Sequence, residues 1–306
     1  MAKQKEYESK SVKYNTSVSD KIFTVINTLF MIAFVVITLY PVLNTLAISL
    51  NDGTDALRGG IYLFPRKWTL QNYKTVIHKN NLINGAVVSV ARTFIGTLTS
   101  LAANALLAFI VSRKRFLFKS QLSLFWVVTM YVNGGLIPVF LLYKGLNLTN
   151  SFWVYIVPGM LSAFNMLVIR TYMTGIPDSL EESAQLDGAG YMTIFIKIVS
   201  PLCKPVYATV ALFVAVGQWN SWFDAYLYTS SQSLKPMQSV LVEILNQYQT
   251  GGSVSQQMSN AKSGMTVTPD SIRMAATMVA TIPIIMVYPF IQKYFVKGIM
   301  LGAVKA

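Results

Sequence analysis

The sequence contains little charge, one histidine and one cysteine. Of its 306 residues 12% are charged, whereas 53% are hydrophobic. Soluble domains contain about a quarter charged residues, so this composition argues against a soluble globular protein, and the apolar content excludes a disordered chain. The single cysteine, Cys203, excludes an internal disulfide, and together with the single histidine, His78, it is too few for a His/Cys zinc cluster. No Ser-His-Asp or Cys-His catalytic set is recognisable from the sequence. The remaining class is a polytopic membrane protein.

Long stretches without charge predict where the chain crosses a bilayer. A spanning helix needs about 20 mainly apolar residues, because each residue rises ~1.5 Å through a hydrocarbon layer ~30 Å thick. We predict an all-α polytopic membrane protein with six transmembrane helices in a domain at 22–300, between an N-terminal tail at 1–21 and a C-terminal tail at 301–306. The predicted spans cover about residues 22–50, 83–113, 118–144, 148–172, 198–223 and 272–295.

Positive charge next to the predicted spans indicates their orientation. Cytoplasmic loops of membrane proteins are enriched in Lys and Arg. The segment 113–119, directly after the second span, contains four of these residues. We therefore expect both termini to be cytoplasmic. Cations held near anionic headgroups also explain the net charge of +13, without a nucleic-acid partner.

Neutral polar residues replace ionisable ones in the predicted spans. Secondary transporters and proton pumps usually place ionisable side chains at the midplane. Here Arg92 precedes the uncharged part of its helix and is expected at the outer interface, while Asp224 follows the fifth span. Neutral amides and aromatic rings suit an uncharged, hydroxyl-rich solute, although each could equally form hydrogen bonds between helices. The candidate pathway residues are Asn133, Gly134, Gly135, Asn165, Gln218, Trp219 and Asn220.

Two adjacent glycines are expected to interrupt the third span. Gly134 and Gly135, followed by Pro138, break the helix at the depth of the membrane. Free backbone groups are tolerated there only when they are buried in protein or line a watery cavity. We favour a role in a transport pathway over a packing kink.

The predicted cytoplasmic loop at 176–200, between the fourth and fifth spans, contains the most informative pattern. Pro177 ends the preceding helix, and Ser179 with Glu182 is predicted to form a capping box, in which each side chain bonds the other residue's free backbone N–H. A short helix follows, and Gly188 is expected to end it in a left-handed conformation. By itself, this pattern is explained by an amphipathic connector lying on the headgroups.

The same loop resembles the E-A-A-x-x-x-G-x9-I-x-L-P signature of ABC importer permeases. Ser183 replaces the first alanine of that signature, and Ser200 replaces its leucine. The matching residues are Glu182, Ala184, Gly188, Ile198 and Pro201.

Three further segments extend the resemblance to nearly all of residues 20–306. FPRKWTLQNY at 64–73 resembles the first extracytoplasmic loop of carbohydrate-type permeases. YFVKGIMLGAVKA at 294–306 resembles the ending of the maltose-type second permease subunit. NGGLIP and IRTYMTGIPDSLEESA resemble Gram-positive permeases of the aldouronate type, which take oligosaccharides from complex polysaccharides.

The resemblance implies the fold of a type I ABC importer permease and a subunit without catalysis of its own in the bacterial plasma membrane. In that family the short helix inserts into a groove on an ATPase subunit, which holds ATP and magnesium, so this chain needs no cofactor and no metal. The implied partners are a second homologous permease subunit, two ATPase subunits, an extracytoplasmic solute-binding protein and an oligosaccharide. The implied coupling residues are Ser179, Glu182, Ser183, Ala184, Gln185, Asp187 and Gly188, and the implied C-terminal ATPase contacts are Gly298, Gly302, Val304 and Lys305.

Two other classes of protein compete with this interpretation. A stand-alone secondary transporter or channel would require midplane ionisable groups or inverted repeats. A membrane enzyme could use the carboxylates in the coupling loop, although helix capping and ATPase docking explain them more simply. The sequence has no G-x-x-x-x-G-K-[ST] loop, so uphill transport would need ATP hydrolysis by a partner chain. The carboxylates in question are Asp178, Glu181, Glu182 and Asp187.

Overall fold

The computed structural model describes residues 18–79, 82–250 and 267–303 as a set of α-helices joined by short turns. Short 3₁₀ turns cover Phe152–Tyr155 and Gln232–Leu234, and a π turn covers Phe195–Val199. The α-helices are α1 (Val18–Ser49), α2 (Gly53–Ala56), α3 (Gln71–Lys79), α4 (Leu82–Ser112), α5 (Lys119–Tyr131), α6 (Leu136–Gly145), α7 (Ala163–Met173), α8 (Asp178–Leu186), α9 (Tyr191–Ile194), α10 (Ser200–Leu202), α11 (Lys204–Asn220), α12 (Phe223–Tyr228), α13 (Met237–Thr250) and α14 (Pro269–Ala303).

Helix α4 lies at the centre of the molecule. It packs against α7, α11 and α13, and α14 packs against α1, α3 and α11. Three buried hydrophobic clusters lie along α4, and each takes one side chain or more from it: Leu82 near its start, Val88 farther on, and Phe109 near its end. A displacement of α4 would therefore reach every part of the described core.

Long apolar helices agree with a membrane protein. Within the described residues, α1 and α4 are each long and apolar enough to cross a bilayer. Two bent helix pairs, α5 with α6 and α9–α10 with α11, have the same length and composition when each pair is counted as one span. The structure thus contains two candidate spans, or up to four with the bent pairs.

The predicted break in the third span is confirmed, and it is sharper than a kink. Helices α5 and α6 meet at 115°, so the predicted span at 118–144 consists of two helices. Gly135 has a backbone φ of +85°, which residues with a Cβ rarely adopt. The Asn133 side-chain oxygen accepts the backbone N–H of Gly135 at 2.9 Å and stabilises the turn between the two helices.

The fourth and fifth spans also differ from the prediction. Only Ala163–Met173 of the predicted span at 148–172 is α-helical, because Ser162 caps a new helix there and its hydroxyl accepts the N–H of Asn165. Eleven residues rise about 16 Å, roughly half of the hydrocarbon layer. The fifth predicted span, at 198–223, is bent by 81° at Cys203, so its straight part is α11.

Candidate coupling and pathway sites

Helix α8, in the predicted coupling loop, is joined to the core by one small side chain. Ala184 is 8% exposed and packs in the cluster that contains Ile169, Met173 and Ile194. Leu186, two positions later, is 90% exposed. A side chain larger than that of Ala184 would push α8 away from the core, whereas Leu186 is free to contact another molecule.

The first turn of α8 differs from the predicted capping box. The helix begins at Asp178, its N-cap is Pro177, and no side chain caps it. Ser179 is therefore already inside the helix and cannot act as the N-cap residue, so the capping-box prediction was wrong. Pro177 explains the shift, because its fixed φ suits the residue that leads into a first turn. The carboxylates of Asp178 and Glu181 lie in this turn, at the positive end of the helix dipole, where negative charge stabilises a helix.

The last turn of α8 confirms the prediction for Gly188. Its φ is +81°, in the left-handed region. The backbone N–H of Ala189 donates to the carbonyl of Ala184 at 2.9 Å, and the N–H of Gly188 donates to that of Gln185 at 3.0 Å. These two bonds are the Schellman pattern that ends a helix with a glycine. A Cβ added at Gly188 would have no atom within 4 Å, so only its backbone conformation opposes a larger residue.

Two ion pairs tie α8 to the end of α4. Arg113 pairs with Glu181, and Lys114 pairs with Asp178. The Arg113 guanidinium also lies 4.7 Å above the ring of Phe109, on the last turns of α4. The basic segment 113–119 indicated only the orientation of the chain, and the contact of Arg113 and Lys114 with α8 was not predicted. The signal for it was the basic pair just after α4 and the acidic residues in the first turn of α8.

The ion pair at the surface keeps its partners charged. A hydrogen bond from Lys114 lowers the pKa of Asp178, and the same bond raises the pKa of Lys114. Asp178 and Glu181 are thus the ion-pair partners of Lys114 and Arg113. This structural role explains the two carboxylates without the membrane-enzyme alternative.

The remaining predicted coupling residues lie on or beside α8. Gln185 donates a hydrogen bond from its amide to the Glu181 carboxylate at 3.2 Å. The exposed members of the set are Ser179, Glu182, Ser183, Asp187 and Gly188. Of the predicted C-terminal contacts, Gly298 and Gly302 belong to α14, whereas Val304 and Lys305 lie outside the described residues.

The candidate pathway residues fall into two groups. Asn133, Gly134 and Gly135 are exposed at the bend between α5 and α6. The other four lie on two helices that pack together: Asn165 is buried on α7, and Gln218, Trp219 and Asn220 end α11.

A buried arginine joins α4 to the end of α11. Arg92 lies inside α4 and is 1% exposed, so protein groups surround its charge, and its expected depth at the outer interface stays a prediction. Its guanidinium donates to Gln218 Oε1 at 3.0 Å and to the carbonyl of Ser221 at 3.3 Å, and it forms an ion pair with Asp224 at 2.5 Å. The ring of Tyr155 lies 4.4 Å from the guanidinium. Packing and these partners replace the water that an interface would supply.

Both ends of the Gln218 amide bind within the chain. Its oxygen accepts from Arg92, and its nitrogen donates to the carbonyl of Tyr155 at 3.1 Å. A Cβ at Gly96, on α4, would lie 2.9 Å from this nitrogen, so a larger residue there would displace the Gln218 amide. For Gln218 we therefore adopt the alternative of hydrogen bonding between helices rather than contact with solute.

An apolar cavity of about 450 Å³ lies beside this network, between α4, α11 and α14. The Trp219 ring lines it, and the Trp219 Nε1 donates to the carbonyl of Ala280 at 3.4 Å. The other polar group on this part of α11, Asn220, is exposed and accepts a hydrogen bond from Gln238 at 3.3 Å.

Comparison with known proteins assigns this arrangement of helices to a family. Residues 11–301 match the family described as "Binding-protein-dependent transport system inner membrane component". The chain belongs to this family. The protein is thus a permease component of a transport system in the membrane, and not an enzyme.

Two relatives, both from Bacillus subtilis (strain 168), match nearly the whole length of this permease. It is 37% identical over 276 residues to the polygalacturonan/rhamnogalacturonan transport system permease protein YtcP, covering 90% of this chain and 96% of the relative. It is 34% identical over 293 residues to protein LplC, covering 95% and 97%.

The permease also has the fold of a solved ABC importer. A chain of a bacterial ABC transporter involved in the import of the acidic polysaccharide alginate superposes with a TM-score of 0.82 at 29% identity, covering 91% of this permease and 98% of that chain. This superposition confirms the predicted fold of a type I importer permease.

Proposed function

We propose that this permease is one of two transmembrane subunits of an ATP-driven, binding-protein-dependent importer for oligosaccharides. It forms half of the translocation pathway, and α8 docks on a partner ATPase. The complex would contain a second homologous permease, two ATPase subunits and an extracytoplasmic solute-binding protein. Two relatives are named as permeases of a polygalacturonan/rhamnogalacturonan and of an arabinooligosaccharides transport system, and these names support a carbohydrate substrate.

The observation that carries this proposal is the combination of exposure and attachment in α8. Leu186 is almost fully exposed on a short helix, which suits a helix-in-groove contact with another protein. At the same time, Arg113 and Lys114 tie α8 to α4, the central helix. A force applied to α8 by an ATPase would therefore reach α4 directly, as well as α7 through Ala184.

We further propose six membrane spans with both termini in the cytoplasm. Helices α1, α4, α11 and α14 supply four of them, and the bent α5–α6 pair and the segment that ends with α7 supply two. The cations at 113–119 next to α8 support this orientation, because cytoplasmic loops attract Lys and Arg. It places α8 on the side where ATP is available.

The polar pathway of this half is proposed to run along the bend between α5 and α6 and past α7 to the end of α11. Asn133 and the two glycines expose amide and backbone groups that can bind hydroxyls. Asn220 and the Trp219 ring would extend this surface, whereas Asn165 is buried on α7 and Gln218 holds α11 against α4.

Replacing Asn133 by leucine is expected to lower uptake several-fold without changing the amount of assembled complex. The substitution removes the amide and the hydrogen bond to Gly135 together. Asn133→Ser keeps an acceptor for that bond and should retain more activity. Val132→Leu, at the neighbouring exposed position, is the matched control with little effect. Normal uptake by Asn133→Leu would assign Asn133 to the turn alone.

Reconstitution of the complex tests the function itself. Proteoliposomes that contain the permease, its partner subunits and the solute-binding protein should import oligosaccharide only when ATP is hydrolysed. The permease reconstituted alone should neither hydrolyse ATP nor import solute along an ion gradient. Uptake by the isolated chain, driven by an ion gradient, would instead support a stand-alone secondary transporter.

A further inference from the structure

The segment 57–70, which we name the aromatic loop, exposes large side chains. Tyr62 is 66% exposed, Phe64 78% and Trp68 70%. Leu63 and Leu70 are exposed as well. So many exposed apolar and aromatic groups in one short segment indicate a surface that contacts something other than water.

The backbone of the aromatic loop is fixed, so this exposure is built into the fold. The buried Asn51 side-chain oxygen accepts the N–H groups of Arg66 and Lys67, both at 2.8 Å. Asp55 pairs with the Arg66 guanidinium at 3.0 Å. The polar side of the loop is thus bound to the protein, and the aromatic residues are left outside.

Helix α1 shows where the bilayer ends. All residues at 18–41 are exposed, whereas Ala47 and Ser49 are buried under the neighbouring segments. Between Lys21 and this change, the uncharged residues 22–41 rise about 30 Å, which is the thickness of a hydrocarbon layer. Counted from Lys21, we therefore expect the membrane boundary at this end of α1 close to Pro41.

The aromatic loop is attached to α1 just beyond that boundary. The Asn44 amide donates to the carbonyls of Ile61 and Tyr62, at 2.7 and 2.9 Å. Asn44 follows Pro41 by less than one helical turn, so the loop is held at the level of the lipid headgroups. Trp and Tyr side chains are enriched at that level, because their rings combine an apolar body with a polar group.

We propose that the aromatic loop is a membrane-interface contact, in which Tyr62, Phe64 and Trp68 insert into the headgroup region beside α1. Arg58 and Lys67, in the same loop, supply cations for lipid phosphates. The contact fixes the depth of α1 and of the loop in the bilayer. This inference uses only the membrane location of the permease and does not depend on its substrate or ATPase.

Depth measurement by spin labelling tests the proposal. A nitroxide is attached at Phe64→Cys in a Cys203→Ser background, and the whole complex is placed in lipid nanodiscs. The relaxation of the nitroxide is measured with dissolved oxygen, which enters the bilayer, and with a water-soluble nickel chelate. Leu29→Cys on α1 is the control inside the bilayer, and Lys74→Cys on α3 is the control in water, since both positions are exposed. The label at Phe64 should be relaxed several-fold less by nickel than the label at Lys74, and less by oxygen than the label at Leu29.

Fluorescence gives a second measurement that needs no cysteine. The fluorescence of Trp68 is obtained as the difference in emission between the wild type and Trp68→Phe. Lipids brominated near the headgroup should quench this fluorescence. Equal nickel access at Phe64 and Lys74, or no quenching of the Trp68 emission, would overturn the proposal. The same would follow if the label at Phe64 lost its access to nickel only after the solute-binding protein was added, because the loop would then contact that protein.

Discussion

Replacement of Gly188 by valine is expected to abolish ATP-dependent uptake and to leave the permease in the membrane. The left-handed φ of +81° is costly for a β-branched residue, by roughly 1–2 kcal/mol or more, so the turn after α8 must change its conformation. A Cβ at Gly188 meets no neighbouring atom, so the core keeps its packing. The change reorients the exposed end of α8, next to Leu186, and should uncouple ATP hydrolysis from uptake. Uptake and ATPase activity are measured together in proteoliposomes.

The matched control at this position is Gly188→Asn. Asparagine adopts the left-handed conformation more readily than other residues, so it should keep most of the uptake. A permease with Gly188→Val that imports solute normally would count against docking at this turn. Loss of the protein from the membrane in both variants would instead indicate a role of Gly188 in folding.

Removal of the Asp224 carboxylate is expected to destabilise the permease strongly. In Asp224→Asn the Arg92 guanidinium, 1% exposed, keeps its charge but loses its ion-pair partner, which costs about 3–5 kcal/mol for a buried pair. Arg92→Met should cost less, because Asp224 is 25% exposed and water can solvate its carboxylate. The measurements are the thermal unfolding midpoint in detergent and the amount of monodisperse protein.

The double variant separates the ion pair from other effects of the two substitutions. Arg92→Met combined with Asp224→Asn removes both charges and should be more stable than Asp224→Asn alone. Purely additive losses in the two single variants would contradict a direct interaction. Asp270→Asn, an exposed carboxylate at the start of α14, is the control and should unfold like the wild type.

Features set by neighbouring residues could be predicted from the sequence. The break at Gly134 and Gly135 and the left-handed Gly188 were predicted correctly, because each depends on a glycine in its local context. The long apolar helices α1 and α4 were also predicted, since the absence of charge over about 20 residues is a local property too.

Other features depend on competition or on packing and were not predicted. At the start of α8, Ser179 was the predicted N-cap residue, whereas Pro177 is the N-cap residue in the structure. The fourth span is interrupted where Ser162 caps α7, which hydropathy does not detect. The pairs of Arg92 with Asp224 and of Arg113 with Glu181 join residues far apart in the chain. They form only when α4 packs against α11 and when α8 lies beside the turn that follows α4.

Photo-crosslinking from Leu186 in the intact complex is the most direct test of coupling through α8. A benzophenone side chain at Leu186 should form an adduct with the ATPase subunit, and the yield should change when ATP binds. The same group at Leu117, 86% exposed in the turn between α4 and α5, serves as the reference for reactivity. If the group at Leu117 forms adducts but the group at Leu186 forms none with the ATPase, α8 does not dock on the ATPase and coupling through α8 is contradicted.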